Sequence, residues 1–342
     1  MTSPAELQDS QMNAPAVISS TSETCSQKEM NGEEHASLDR GGGRVSYEVV
    51  EYLLKEAPEF RRLSELREKA WRNPAGDKFF EKQRNTADNA DKKTARIFFN
   101  MMRDMATHIN HLTGVFQINT DSAGPDNKKA ILDIIAPQSR ARAVGFSLPT
   151  EKGGHKVLLQ HPRNVTLKFL DITMLAADMG VAVTDIPAEH PDAANLLPRQ
   201  FKPEDQFDLV LCDGQVLRTH DRADYREKRE ATRLSLTQLA LGLGHLKAGG
   251  SMIVLLHKVE ALDSLNLLYT FDKFATVRLY KHPKTHAKRS SFYMLATNIR
   301  ADSDAAATAV ERWRRMWKKV WDIQANALEK APFMERNIQG TV

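Results

Sequence analysis

Cysteine is almost absent from this chain: two occur in 342 residues, Cys25 and Cys212. Thiols that far apart in sequence offer neither a disulfide framework nor the paired spacing of a zinc site. No metal centre is expected, and the compartment is expected to be reducing, hence intracellular, cytoplasmic or nuclear. Long uncharged apolar runs are lacking, as is a basic and apolar leader, so neither a membrane span nor secretion is expected. A phosphate-binding loop and a nucleophile elbow are missing too, which removes support for nucleotide hydrolysis and for serine-hydrolase chemistry. Charge of one sign is not in large excess. The net charge of +4 permits a polyanionic partner without requiring one, and its distribution matters more than its sum.

What the sequence does contain changes character along its length. Residues 1–44 are rich in Ser, Thr, Glu, Gln and Gly, end in Gly41-Gly42-Gly43 and lack apolar periodicity. Such a segment cannot offset the entropy of ordering, and a disordered leader is expected. Over 45–120 the pattern is helical: Val49, Tyr52 and Leu53, then Leu63, Leu66, Ala70 and Trp71, follow three-and-four spacing, with Pro58 and Pro74 as punctuation. A third stripe, Ile97, Phe98, Met101, Met102, Met105 and Ile109, reads as a packing face, because Met and Phe at helical spacing are ordinary core material.

After a loop at 119–125 come short apolar runs at 131–135, 143–148, 165–170, 207–212, 252–257, 276–280 and 291–297, separated by helical stretches such as 234–246 and 262–274. Several runs are apolar at both alternating positions, which suits parallel strands covered on both faces. The expected fold is α/β: a doubly wound, mostly parallel, seven-stranded Rossmann-like sheet over 128–300, with a helical N-terminal extension. A C-terminal helix and tail fill 301–342, where Trp313, Trp317 and Trp321 at four-residue intervals read as a docking face.

In such sheets ligands sit beyond the carboxyl ends of the strands, so strand-ending polar residues are the first place to look. The run Phe207-Asp208-Leu209-Val210-Leu211-Cys212 delivers Asp213 into Gly214, and the next ends at His257-Lys258 after the turn Lys247-Ala248-Gly249-Gly250. Asp-Gly is by itself a common turn, and a strand-end lysine commonly just snorkels to water. Together they describe a carboxylate beside an amine, a device that can take a proton from a weak acid if the amine is neutral.

The order and spacing from Phe207 to Ile299 resemble the latter half of the FtsJ (RrmJ-like) ribose 2′-O-methyltransferases. The resemblance runs through the strand ending in Asp213, the helix through Gln238-Leu239-Ala240-Leu241, the Lys-Ala-Gly-Gly turn, the strand ending in Lys258, and Lys288-Arg289-Ser290-Ser291-Phe292-Tyr293-Met294-Leu295-Ala296-Thr297. It implies S-adenosylmethionine as cofactor, RNA as substrate, and a catalytic set of lysine, aspartate, lysine and glutamate. Asp213 and Lys258 match the middle pair. The late glutamate falls at Ser291, and for the first lysine Lys128 and Lys129 are available. The resemblance places Asp133, Gly145 and Asp171 around the cofactor, with Asp171 accepting from the adenine amine; the same carboxylate could instead cap the helix starting near Thr173. Lys284, Lys288, Arg289 and Ser291 are assigned to the substrate, the basic run 281–289 having the donor density that phosphates require.

The sequence departs from the family at its first strand. If 131–134 is that strand, only 135–142 separate it from the next, with no glycine among them, whereas a crossover containing a helix needs at least about 10–12 residues. Alternatively 130–135 ends the crossover helix and the first strand is missing. On either account a piece of roughly 15–20 residues is absent, and weak affinity for the cofactor is expected.

Overall fold

The computed structural model describes residues 47–89, 91–116, 142–154, 165–217 and 220–338. The expected leader at 1–44, the run at 131–135, Lys128, Lys129 and Asp133 lie outside the described residues. Four helices open the described chain: α1 (Tyr47–Glu56), α2 (Pro58–Trp71), α3 (Pro74–Asp88) and α4 (Lys92–Thr113). Pro58 and Pro74 each sit in the first turn of a helix, where a missing N–H costs nothing, and Asn73 and Asp91 cap α3 and α4 by accepting from backbone N–H groups. Gly114, at φ 63°, closes α4 in the left-handed conformation that glycine adopts without strain.

The strands β1 (Ala143–Ser147) and β2 (Val165–Phe169) form a parallel pair. A second sheet holds β3 (Phe207–Cys212), β4 (Leu246–His257), β6 (Ser291–Ile299) and β5 (Thr276–Tyr280), in that order. Among the described residues the strands number six, in two sheets rather than the expected single one, the run at 131–135 lying outside them; the mostly parallel direction holds, with β6 alone opposed to its neighbours. β3 and β4 run parallel, but β6 enters between β4 and β5 in the opposite direction, so both of its ladders are antiparallel. The two halves of this layout are the parallel pairs β1–β2 and β3–β4. Sites are expected where those two halves begin. There the loop after β3 reaches the loop after β1, with Asp221 N donating to Lys152 O at 3.0 Å.

Two further helices, α5 (Glu230–Gly244) and α6 (Leu262–Asp272), connect β3 to β4 and β4 to β5, and α7 (Asp304–Ile338) follows β6. One core lies between the sheet and α4: Met105 and Ile109 of the helix pack with Leu209, Ile253, Tyr280, Tyr293 and Leu295. The stripe on α4 thus buries its C-terminal half, while Ile97 and Met102 remain exposed. On the other side α7 packs against α5, and Trp313, Trp317 and Trp321 are buried.

Among the described residues no helix is long and apolar enough to cross a membrane.

Candidate active site

Asp213 follows the last residue of β3. The turn that presents it is held by α5: the Gln238 side chain accepts from Gly214 N at 2.8 Å and donates to Gly214 O at 3.0 Å. A Cβ on Gly214 would stand 2.9 Å from Gln238 Oε1, so glycine is what allows the helix to grip the turn this closely. In the β3–β4 register Cys212 lies beside Val254, which sets Asp213 beside Leu255, and Leu255 in turn pairs with Tyr293 of β6. Asp213, Leu255 and Tyr293 make one row across three strands. The Tyr293 hydroxyl donates to Asp213 Oδ2 in a long contact of 3.5 Å.

The electrostatics of that row are unbalanced. Burial pushes the Asp213 carboxyl up to about 6, and the Tyr293 hydroxyl offsets this only in part. Tyr293 is itself raised, first by burial and then by the Asp213 charge. Cys212, one residue back, is raised to about 12 by burial and by Asp213, which makes it an inert thiol.

The other strand end is differently placed. Lys258 leaves β4 with φ 51°, a left-handed conformation unusual for a lysine, fixed by Lys258 N donating to Ser290 O and Lys258 O accepting from Ala261 N. Its side chain is exposed and makes no ion pair with Asp213. The structure thus brings Asp213 and Lys258 to the carboxyl ends of neighbouring parallel strands, three residues out of step, and puts Tyr293 rather than Lys258 against the carboxylate.

Asp171 sits just beyond β2 as the N-cap of a short 3-10 turn, accepting from Thr173 N at 2.9 Å and from Thr173 Oγ1 at 2.7 Å. Its second oxygen pairs with Arg226 Nη2 at 2.9 Å. Burial would raise this carboxyl, but Arg226 and Thr173 outweigh it and hold it below the usual carboxylate range. Arg226, in the 3-10 helix at Asp224–Arg229, also pairs with Glu230, and one turn on Arg233 pairs with Asp192 at 3.0 Å while completely buried under the Trp317 ring. Gly145 lies mid-strand in β1 opposite Leu167, where a Cβ would meet Leu167 Cδ2 at 2.9 Å; its smallness serves the packing of the two strands.

Between β5 and β6 the turn 281–290 carries exposed Lys284, Lys288 and Arg289. Lys281 ties it together by donating to the Arg289 and Ser291 carbonyls. Ser291, the first residue of β6, is buried beside His257. The helical extension reaches this turn as well: Lys288 Nζ lies 4.4 Å from the Phe79 ring centroid of α3, and Arg67 of α2 pairs with Glu260 at 2.6 Å. Among the described residues no three His, Cys, Asp or Glu side chains gather as a metal site.

A family model for FtsJ-like methyltransferases matches residues 128–299, half of the chain. The chain belongs to the FtsJ-like methyltransferase family. No curated protein matches it. FtsJ-like methyltransferases generally use S-adenosylmethionine, and the side chains assigned to that cofactor can be tested against their surroundings. Asp171 has both carboxylate oxygens in contact with Thr173 or Arg226, and Gly145 is half-buried against Leu167. Asp171 thus already accepts three hydrogen bonds, which a cofactor amine would have to share or displace. At the other strand ends Asp213 is half-buried and Lys258 exposed.

Sequence reasoning passed over Tyr293 as a partner for Asp213, although β6 is buried at almost every position and its periodicity could not mark a polar tip. It also passed over Arg226 and Arg233, hidden in a charge-rich stretch where solvation is the ordinary expectation.

Asp213 should make stability depend on pH in a recognisable direction. Its folded value of about 6 lies above the ordinary 3.8, so its favourable contribution is complete below about pH 4 and is lost as pH rises through about 6. The difference corresponds to at most about 3 kcal/mol, less for a side chain that is partly exposed. Asp213→Asn should consequently raise the melting temperature at pH 8 by some degrees and leave it unchanged at pH 4. Equal shifts at both pH values would mean that the carboxylate is solvated.

Proposed function

We propose that the domain methylates a ribose 2′-hydroxyl of RNA with S-adenosylmethionine as donor, Lys258 and Asp213 handling the hydroxyl's proton. The observation that carries this reading is Asp213, a carboxylate raised to about 6 at the end of β3 and beside the strand that ends in Lys258. A 2′-hydroxyl is a very weak acid, and proton acceptors serve it best when their own affinity lies near the working pH. Asp213 is better matched to that task than an ordinary aspartate, and it can hold the hydroxyl in place by accepting its hydrogen bond. Lys258 is the proposed base, its exposed amine standing at the end of the neighbouring strand where a substrate hydroxyl can reach it. The methyl group itself comes from the cofactor's sulfonium. Because the connection 135–142 is short and lacks glycine, weak cofactor affinity belongs to this reading.

Methyl transfer to an RNA transcript at saturating cofactor tests the assignment. Lys258→Ala should abolish transfer and leave cofactor affinity as it was. Asp213→Asn should reduce transfer by roughly 10²–10⁴-fold, the range of a general acid–base group. Wild-type rates in both variants would remove the pair from the mechanism.

RNA contact is assigned to the turn 281–290. Replacing Lys284, Lys288 and Arg289 with Ala removes three exposed cations, and for a single strand each lost phosphate contact lowers the salt slope by about 0.7. A slope flatter by about 2 and weaker binding at low salt are expected in filter binding; an unchanged slope would reduce the turn to a solvated loop. A second reading, an RNA-holding module without turnover, is favoured by one observation: Asp171 is spent on Arg226.

A further inference from the structure

The turn between β5 and β6 contains a buried group that methyl transfer does not use. His286 is 8% exposed, and its ring stacks on Tyr293 with centroids 5.5 Å apart and planes 17° from parallel. Its Nδ1 is shielded from water and has no hydrogen-bond partner among the described residues. Polar nitrogens in that situation are rare, because losing water without gaining a partner is costly.

The surroundings say what kind of partner would suit it. Burial holds His286 below the usual histidine value, and the largest charged influences, Arg289, Lys281, His282 and His257, all act in the same direction. His257, at the end of β4, is lowered in the same way by burial and by Arg289. Of the carboxylates that face this region, Glu260 pairs with Arg67 of α2 through Oε1, Asp213 accepts from Tyr293, and Asp104 of α4 acts on His282 in the opposite sense. Cations that act together on His286, with no carboxylate among the charges that bear on it, around a nitrogen that can become a donor by taking up a proton, describe a place for an anion. Arg289 supplies the planar fork that suits phosphate oxygens, and its side chain is exposed.

We propose that His257, His286 and Arg289 form a subsite for a phosphodiester of the RNA strand, linked to Asp213 through the Tyr293 side chain. This rests on the RNA reading above and adds to it which part of the polyanion is held, and where. The Tyr293 ring meets the phosphate-holding histidine, and its hydroxyl meets the carboxylate that receives the ribose hydroxyl. Docking of one backbone phosphate thereby sets the register in which a ribose reaches Asp213. The histidines take up protons as the phosphate arrives, so affinity rises as pH falls from about 8 to about 6.

His286→Phe keeps the ring on Tyr293 and removes both nitrogens. His257→Gln, at an exposed position, guards against a packing defect in the first variant. Fluorescence anisotropy with a labelled single-stranded RNA dodecamer, at pH 6 and pH 8, is expected to show roughly tenfold weaker binding at pH 6 for each variant and little change at pH 8, with melting temperatures near wild type. In parallel, inorganic phosphate should shift the imidazole NMR signals of His257 and His286 in the wild-type protein. RNA binding that is equally tight and equally pH-dependent in all three proteins would overturn the subsite while leaving the RNA reading intact. Phosphate-shifted histidines with no RNA binding would support the anion site and overturn the RNA reading. No response to either probe would overturn both.

Discussion

Arg233→Met should lower the unfolding free energy by about 3–5 kcal/mol, the loss expected when one member of a buried ion pair is removed and the other stays behind. Arg233 is fully buried, pairs with Asp192 at 3.0 Å, donates to the Thr173 carbonyl and lies under the Trp317 ring. Asp192 keeps a hydrogen bond from the Tyr225 hydroxyl at 2.7 Å, which cannot neutralise its charge. Met fills much of the vacated volume, so the deficit is electrostatic rather than a cavity. Urea denaturation followed by tryptophan fluorescence suits the measurement, since Trp317 and Trp321 line the same region and Trp321 stacks on His190 at 3.5 Å. The double variant Arg233→Met with Asp192→Asn should recover part of the loss, because the uncompensated charge is gone. A single-variant cost below about 1 kcal/mol would mean that water reaches the pair after all. The same network ties the loop after β2 to α5 and α7, so its loss should also loosen Asp171 and Thr173.

That network marks where the sequence stopped being informative. The bounds of β3 and β5 were readable because short apolar runs end at turn residues, and the observed strands are Phe207–Cys212 and Thr276–Tyr280. The four-residue tryptophan spacing likewise became the buried face of α7. β4 begins six residues earlier than its apolar run, at Leu246, because Gly250 pairs with Ile299 and Leu246 with Phe207 across a bulge. Local composition reads Lys247-Ala248-Gly249-Gly250 as a turn; only long-range pairing makes it strand. Asp213 and Lys258 were legible as strand ends. Their offset was not, because register follows from the whole ladder. The charged stretch around Arg222–Arg233 was illegible for a deeper reason. A charge is buried only when its partner arrives from elsewhere in the fold, here Asp171 and Asp192, and no spacing in sequence announces that. Asp171 shows the consequence: two roles were open for its carboxylate, and in the fold it caps the turn at Thr173 and pairs with Arg226.

S-Adenosylhomocysteine should bind this chain weakly, with no measurable heat at micromolar concentrations. Two independent features lead to that expectation. The sequence allows only eight residues, 135–142, between the candidate first strand and β1, with no glycine to bring backbone N–H groups toward the cofactor's carboxylate. At the adenine end Asp171 is tied to Thr173 and to Arg226, contacts that a ligand would have to share or displace. Losing two charge-assisted hydrogen bonds at roughly 1.5–3 kcal/mol each weakens binding by about two to four orders of magnitude. Inserting a complete strand, glycine turn and helix from a family member between residues 134 and 143 should restore affinity, and with it methyl transfer that depends on Lys258. If the graft restores binding, the short connection is the defect and the Arg226 pair yields to the ligand. If only the graft combined with Arg226→Gln does so, Arg226 holds the adenine end shut. Micromolar binding by the unmodified chain would overturn both arguments, and the Asp171–Arg226 pair would then have to open on binding, visible as a loss of proteolytic protection in the loop after β3.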